Sequence, residues 1–112
     1  MDRATALTAL VRLEGPVAEA VARLQAFPWD SDVDLVTATA KDFAKVLRRY
    51  CLGELPAAEV ESWANALECR EDLGFSSPVV RELLHELANP LLTEPLSLAR
   101  ARDWLSRLGH AT

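Results

Sequence analysis

The stretch that decides the fold reads TAKDFAKVLRRYCLG and spans residues 39–53. Its apolar residues recur at the spacing i, i+3, i+4, i+7 and i+8, which marks one face of an α-helix. They are Phe43, Val46, Leu47, Tyr50 and Cys51. Thr39 and Asp42 have the spacing of a capping box, and Gly53 is a typical residue at a helix end. The stretch therefore predicts an amphipathic helix over residues 40–52 that buries one face.

The same helical spacing continues on both sides of this stretch. It predicts further helices over residues 5–14, 16–26, 56–69, 77–89 and 97–108. Gly15 is expected to end the first of them. Leu35-Val36-Thr37 is the only short strand candidate and lacks a partner, and residues 71–75 are interpreted as a loop. The sequence therefore predicts an all-α fold, a single-domain bundle of five or six short helices over residues 1–112.

The composition is that of an ordinary soluble domain. Half of the 112 residues are hydrophobic, 26% are charged, and the net charge is −5. No apolar run approaches the roughly 20 residues that span a bilayer, and the first residues lack the features of a signal peptide. We therefore expect a cytoplasmic protein. The acidic balance argues against general nucleic-acid binding and suits a basic protein partner.

The acidic stretch after Trp29 has the DxDxD spacing that opens a calcium loop. Its carboxylates are Asp30, Asp32 and Asp34. Such a loop needs Gly at its sixth position and Glu at its twelfth, where this chain has Leu35 and Lys41. The stretch is therefore interpreted as a solvated acidic loop with Trp29 beneath it, or as a docking loop for a basic partner.

Residues that could perform chemistry are few. Cys51 and Cys69 fall in predicted helices outside any metal-binding motif, and we expect both to be reduced. His85 and His110 are the only histidines, and neither has a neighbouring residue placed to orient it. The chain has no glycine-rich phosphate loop and no hydrolase or metalloprotease motif. We therefore expect no enzyme activity, no catalytic residues, no cofactor and no metal.

The strongest indication of function is a cluster of acidic residues. Residues 54–72 carry six carboxylates against Arg70 alone, a local net charge of −5. A helical surface of one sign can steer a basic partner and add specificity. The expected partner-binding residues on this helix and the loop after it are Glu59, Glu61, Glu68, Glu71, Asp72 and Phe75. Trp63 has the helical spacing of the apolar residues around it, which favours a place in the core.

Two alternatives remain open. One is a small nucleic-acid-associated regulator that uses the basic residues of the helix over 40–52, which are Lys41, Lys45, Arg48 and Arg49. The other is a homodimerisation module with an exposed apolar face, so that the protein is either a monomer or a homodimer.

Several segments between residues 43 and 90 carry a resemblance to known proteins. They are YCLGEL (50–55), EVESWA (59–64), LE (67–68), REDLGF (70–75) and ELANP (86–90). These segments resemble small, uncharacterised bacterial proteins that occur as stand-alone chains. The helix, glycine and acidic helix are also similar to helical immunity proteins of the colicin D and contact-dependent-inhibition type. That resemblance implies a protein that covers the active site of a basic toxin with an acidic surface, and it assigns no individual binding residue.

Overall fold

The helices expected from the apolar spacing are present in the structure, a computed structural model that describes residues 2–28 and 31–110. This part of the chain forms α1 (Arg3–Val11), α2 (Val17–Leu24), β1 (Val36–Ala38), α3 (Ala40–Cys51), α4 (Ala57–Glu68), β2 (Leu73–Phe75), α5 (Pro78–Ala88) and α6 (Leu98–His110). The helical fold class with five or six short helices is therefore confirmed. Within the described ranges, no helix combines the length and the apolar character needed to cross a membrane.

The ends of α3 follow from its flanking residues. The Asp42 backbone N–H donates to Thr39 Oγ1 at 3.2 Å, and the Thr39 backbone N–H donates to the Asp42 carboxylate at 3.0 Å. This reciprocal pair is the predicted capping box, and it satisfies two donors that the first helical turn leaves free. After the last turn, Gly53 has a φ of 80°, a left-handed conformation that suits glycine.

The end predicted for α1 was wrong. The helix starts at Arg3 because the Asp2 carboxylate caps it, accepting a 2.7 Å hydrogen bond from the Thr5 backbone N–H. It ends at Val11, and Leu13 rather than Gly15 takes the left-handed conformation, with a φ of 49°. Such a conformation costs a non-glycine residue about 1–3 kcal/mol. The burial of the Leu13 side chain offsets a cost of this size.

The expectation that the chain has no paired strand was also wrong. β1 and β2 form a parallel two-stranded sheet in which Val36 pairs with Leu73 and Ala38 with Phe75. β2 lies in the stretch interpreted as a loop. Three residues are too few to show the alternation that marks a strand, and the partner lies 37 residues away in the sequence. The sheet connects the segment before α3 to the segment after α4.

The core is organised around Trp63 of α4. Its side chain is fully buried, as the helical spacing predicts. Its ring lies 4.9 Å from that of Phe43 at an angle of 54°, and its Nε1–H donates to the Leu10 carbonyl at 2.7 Å. One side chain thus connects α1, α3 and α4, and α4 also packs on α2 and α5. The central place of α4 fixes which of its surfaces remain exposed.

Candidate interaction surface

The carboxylates of α4 do not form one acidic face. Successive helical residues turn by about 100°, so Glu61 and Glu68 share one flank and Glu59 lies on the opposite flank. The side between them, away from the core, carries the uncharged Ser62 and Asn65, both exposed. The buried side holds Val60, Trp63, Ala64 and Leu67. The acidic helical face expected from the sequence is therefore divided between two sides of the molecule.

Glu59 contributes to the structure of a neighbouring helix. Its carboxylate accepts a 3.1 Å hydrogen bond from the backbone N–H of Val17, the first residue of α2. The residue before that helix is Pro16, whose side chain makes no capping hydrogen bond. Glu59 therefore caps α2 from outside it and places a negative charge at the positive end of the helix dipole. Glu59, one of the residues expected to bind a partner, therefore has a structural role.

The prediction that Asp72 binds a partner was wrong, because this residue is fully buried and so cannot belong to an exposed docking surface. Its two carboxylate oxygens accept 2.8 Å hydrogen bonds from Arg3 Nε, Arg70 Nε and the Arg70 guanidinium NH2 group. Burial by itself raises the pKa of the Asp72 carboxyl, but the hydrogen bonds and charges of Arg70 and Arg3 lower that pKa below its ordinary value. The local charge count overlooks this pairing because Arg3 lies 69 residues away.

Asp72 also positions the sheet through its backbone. Its carbonyl oxygen accepts hydrogen bonds from the N–H groups of Leu35 at 2.8 Å and Val36 at 3.4 Å. The same residue therefore holds the start of β1 through its backbone and the N-terminus of α1 through its side chain. These contacts give it a structural role.

Three other expected binding residues meet in a polar groove. Glu68, Glu71 and Phe75 line a groove of about 490 Å³, together with the polar side chains of Asp34, Arg70, Arg81 and His85. The Arg81 guanidinium carbon lies 4.6 Å from the centre of the Phe75 ring, a cation–π contact. The groove therefore carries charges of both signs, whereas the sequence predicts a mainly acidic surface over this helix and loop.

Glu68 is held at the edge of this polar groove. Its carboxylate accepts a 3.0 Å hydrogen bond from Asn89 Nδ2, and its Oε2 lies 3.7 Å from His85 Nδ1. Asn89 Nδ2 also donates to the His85 carbonyl at 2.8 Å. Glu71 is exposed and has no such partner among the described residues. The two carboxylates therefore differ in how free they are to meet a ligand.

The polar groove depends on the absence of a side chain at Gly74. A Cβ added there would lie 2.5 Å from Asp34 Oδ2 and 2.9 Å from its Cγ. Glycine therefore lets the Asp34 carboxylate lie directly against β2. Asp34 belongs to the DxDxD pattern, whereas Trp29 and Asp30 lie outside the described residues. Within residues 2–28 and 31–110, no cluster of three or more His, Cys, Asp and Glu could hold a metal ion.

A second, apolar groove of about 320 Å³ borders α4, α5 and the connector after α5. It is lined mainly by alanine, valine, leucine and proline side chains, with Glu61 and Glu86 as its carboxylates. Leu91, one of the lining residues, is 99% exposed, and Leu92, the next residue in the sequence, is 79% exposed. Glu61 is half-buried and forms no hydrogen bond or ion pair with any described residue. Leu91 and Leu92 form an apolar pair between Pro90 and Pro95. The two prolines indicate a loop, but helical spacing does not identify the leucines inside it as candidate binding residues.

The basic residues of α3 are not equivalent either. Lys41, Lys45 and Arg48 are exposed, and none is paired with another described residue. Arg49 instead donates to the Leu13 carbonyl at 2.9 Å, and its Nε lies 3.8 Å from a Glu54 carboxylate oxygen. The basic stripe therefore presents three of its four cations to solvent.

Both cysteines are free thiols, with Cys51 half-buried and Cys69 exposed. Comparison of the chain with models of known protein families, with curated proteins and with solved structures found no match. The similarity to immunity proteins therefore stays a prediction.

Proposed function

We propose that this protein is a non-enzymatic interaction module that binds a basic protein partner through its α4–α5 surface, defined as Glu61, Glu68, Glu71, Leu91 and Leu92. The observation that carries the proposal is the exposure of Leu91 and Leu92 beside the apolar groove. An apolar patch next to a concave apolar surface is typical of protein-binding sites. A partner that covers both leucines gains the free energy of removing them from water.

The carboxylates of this surface favour a basic partner. Glu61 and Glu71 have no cation or hydrogen-bond donor among the described residues. Glu61 is already half-buried, so further burial without a counter-charge would raise its desolvation cost. A lysine or arginine of the partner beside Glu61 would compensate this cost. Charge complementarity of this kind adds mainly to specificity and association rate, and the leucines supply the buried apolar area.

The toxin-neutralising role is the most specific form of this proposal. It is supported by the size of the chain, its net charge of −5 and the resemblance to helical immunity proteins. In that role the α4–α5 surface covers the active site of a basic toxin. Cytoplasmic location belongs to the same proposal, since such a protein meets its toxin inside the cell.

The test compares surface variants as immobilised baits. We expect the wild-type protein to retain one basic protein from a lysate of the source cell. The double variant Leu91→Ser/Leu92→Ser and the charge reversal Glu61→Lys should each reduce its retention about tenfold or more. Leu52→Ser and Glu14→Lys are matched controls, because both residues are exposed and lie outside this surface. Retention should also fall as the salt concentration rises, since exposed charges are screened.

Two results would count against this function. Equal retention by the wild-type protein and by the α4–α5 variants would mean that the surface is only solvated. Sedimentation of the purified protein as a stable dimer that Leu91→Ser/Leu92→Ser converts to a monomer would instead assign the leucines to the homodimerisation alternative.

A further inference from the structure

A separate groove of about 510 Å³ lies between α3 and α6 and plays no part in the proposed function. The residues at its base are Ala40, Ala44, Leu105 and Leu108, and Lys41 and Arg48 flank it. Ala40 and Ala44 are one helical turn apart, and their small side chains leave space above the backbone of α3. The result is a shallow apolar trough with cations beside it.

The two charged residues that line this groove, Lys41 and Arg48, are both cations, and two further exposed cations lie on the same helices. Lys41, Lys45 and Arg48 follow one another at i, i+4 and i+7, so they line one side of α3. On α6, Arg102 lies one turn before Leu105 and is also exposed. None of these four cations has an ion pair or hydrogen bond with any described residue, and no carboxylate lines the groove. Such a concentration is notable in a chain whose net charge is −5.

The groove is open above Gly109 of α6. A Cβ added at this glycine would meet no atom within 4 Å, and its φ lies outside the left-handed region. A large side chain could therefore be placed there without strain in the backbone. This position allows the groove to be blocked while the cations beside it stay unchanged.

We propose that the α3–α6 groove binds an acidic amphipathic helix of a partner protein. The apolar side chains of that helix would lie on Leu105 and Ala44, and its carboxylates would pair with Lys41 and Arg48. α3 has 12 residues and is therefore about 18 Å long, which matches three turns of a partner helix. An apolar stripe laid in a groove between charged edges is an established mode of helix recognition.

Charge complementarity together with the apolar base favours this occupant over nucleic acid. A protein that binds duplex DNA tightly contacts about 6–10 phosphates. Here Arg49, the fourth cation of the α3 stripe, is already bound to the Leu13 carbonyl and lies near Glu54. Leucine and alanine at the base of a groove contribute nothing to phosphate binding, whereas they suit the leucines of an amphipathic helix.

The experiment measures fluorescence anisotropy of a labelled synthetic peptide of about 14 residues, with leucines at helical i, i+3, i+4 and i+7 spacing and glutamates elsewhere. The full chain should bind it at low salt. Lys41→Glu/Arg48→Glu should weaken binding about tenfold or more, and so should Gly109→Phe, which removes no charge. Gly109→Ala, and the charge-matched control Arg12→Glu/Arg23→Glu, should change the affinity by less than about twofold.

Circular dichroism of each variant shows whether its helices are retained. The two blocking variants are the charge reversal Lys41→Glu/Arg48→Glu and the groove-filling Gly109→Phe. They change different residues, so if one of them misfolds the other still tests the proposal. The proposal is overturned if the peptide does not bind, if neither blocking variant weakens it, or if a peptide of the same composition with scrambled leucine spacing binds equally well. It is also overturned if a single-stranded DNA of about 20 nucleotides binds more tightly than the peptide and displaces it. The Leu91→Ser/Leu92→Ser variant should bind the peptide normally, so a failure here is distinct from a failure of the α4–α5 surface.

Discussion

Replacing Asp72 by asparagine should destabilise the protein strongly, although the sequence places this residue in an acidic stretch expected to bind a partner. The carboxylate is fully buried and accepts three 2.8 Å hydrogen bonds from Arg3 and Arg70, whose side chains are 19% and 9% exposed. Breaking a buried ion pair by removing one partner costs about 3–5 kcal/mol. Because water reaches part of Arg3, we expect the lower end, about 3 kcal/mol. At about 4 °C per kcal/mol, the midpoint of thermal unfolding should fall by roughly 12 °C.

Thermal and urea unfolding followed by circular dichroism at neutral pH measure this loss. The matched control is Glu71→Gln, which removes the neighbouring exposed carboxylate and should change stability by less than about 0.5 kcal/mol. An Asp72→Asn protein whose free energy of unfolding lies within about 0.5 kcal/mol of the wild type would refute the structural role of the buried ion pair.

The same pair of proteins gives a pH test. The folded-state pKa of Asp72 is lowered, so its contribution to stability is fully present above the unfolded-state pKa, about 3.9, and is lost as the pH falls through the folded-state value. Asparagine does not titrate. The difference in unfolding free energy between wild type and Asp72→Asn should therefore narrow below about pH 4. If this difference in unfolding free energy stayed constant from neutral pH to pH 3, the negative charge of Asp72 would not be the source of its stabilising contact with the arginines.

Three further substitutions test other parts of the fold. Glu59→Ala should cost about 1 kcal/mol, measured by urea unfolding, because it removes the cap on the Val17 N–H; an unchanged midpoint would mean that solvent satisfies this donor equally well. Trp63→Phe should cost about 2–4 kcal/mol in the same assay, because it leaves a cavity and removes the indole hydrogen bond to the Leu10 carbonyl, which still accepts from the Leu13 N–H; a loss below about 1 kcal/mol would contradict the buried hydrogen bond. Gly109→Ala should raise the unfolding free energy by a few tenths of a kcal/mol, since alanine is the better helix former; a loss of stability would show that the groove above Gly109 is not open.

The parts of the fold that the sequence predicts are those decided within one or two helical turns. Thr39 and Asp42 form their capping box from neighbouring residues alone, so the start of α3 is predicted correctly. The end of α1 depends instead on whether Leu13 gains more from burial than it loses in a left-handed conformation, which only the folded core decides. The sequence pattern does not predict the β1–β2 pair either, because each strand forms only by pairing with a segment far away in the chain.

The charges of the candidate surfaces also depend on contacts between residues that are far apart in the sequence. Counting charges along residues 54–72 gives −5, yet Asp72 is neutralised by Arg3 from the other end of the chain and Glu59 is used to cap α2. A partner is attracted mainly by charges that the fold leaves unpaired. The formal charge of a sequence window does not distinguish paired from unpaired residues. On this criterion Glu61 and Glu71 remain from the acidic stretch, and Lys41, Lys45 and Arg48 remain from the basic one, each unpaired among the described residues. The sequence could therefore identify which helices carry the candidate surfaces, but the choice of residue on each helix follows from pairing in three dimensions. Glu61 and Lys41 are informative single positions to reverse in charge, because each is unpaired among the described residues and lines a groove.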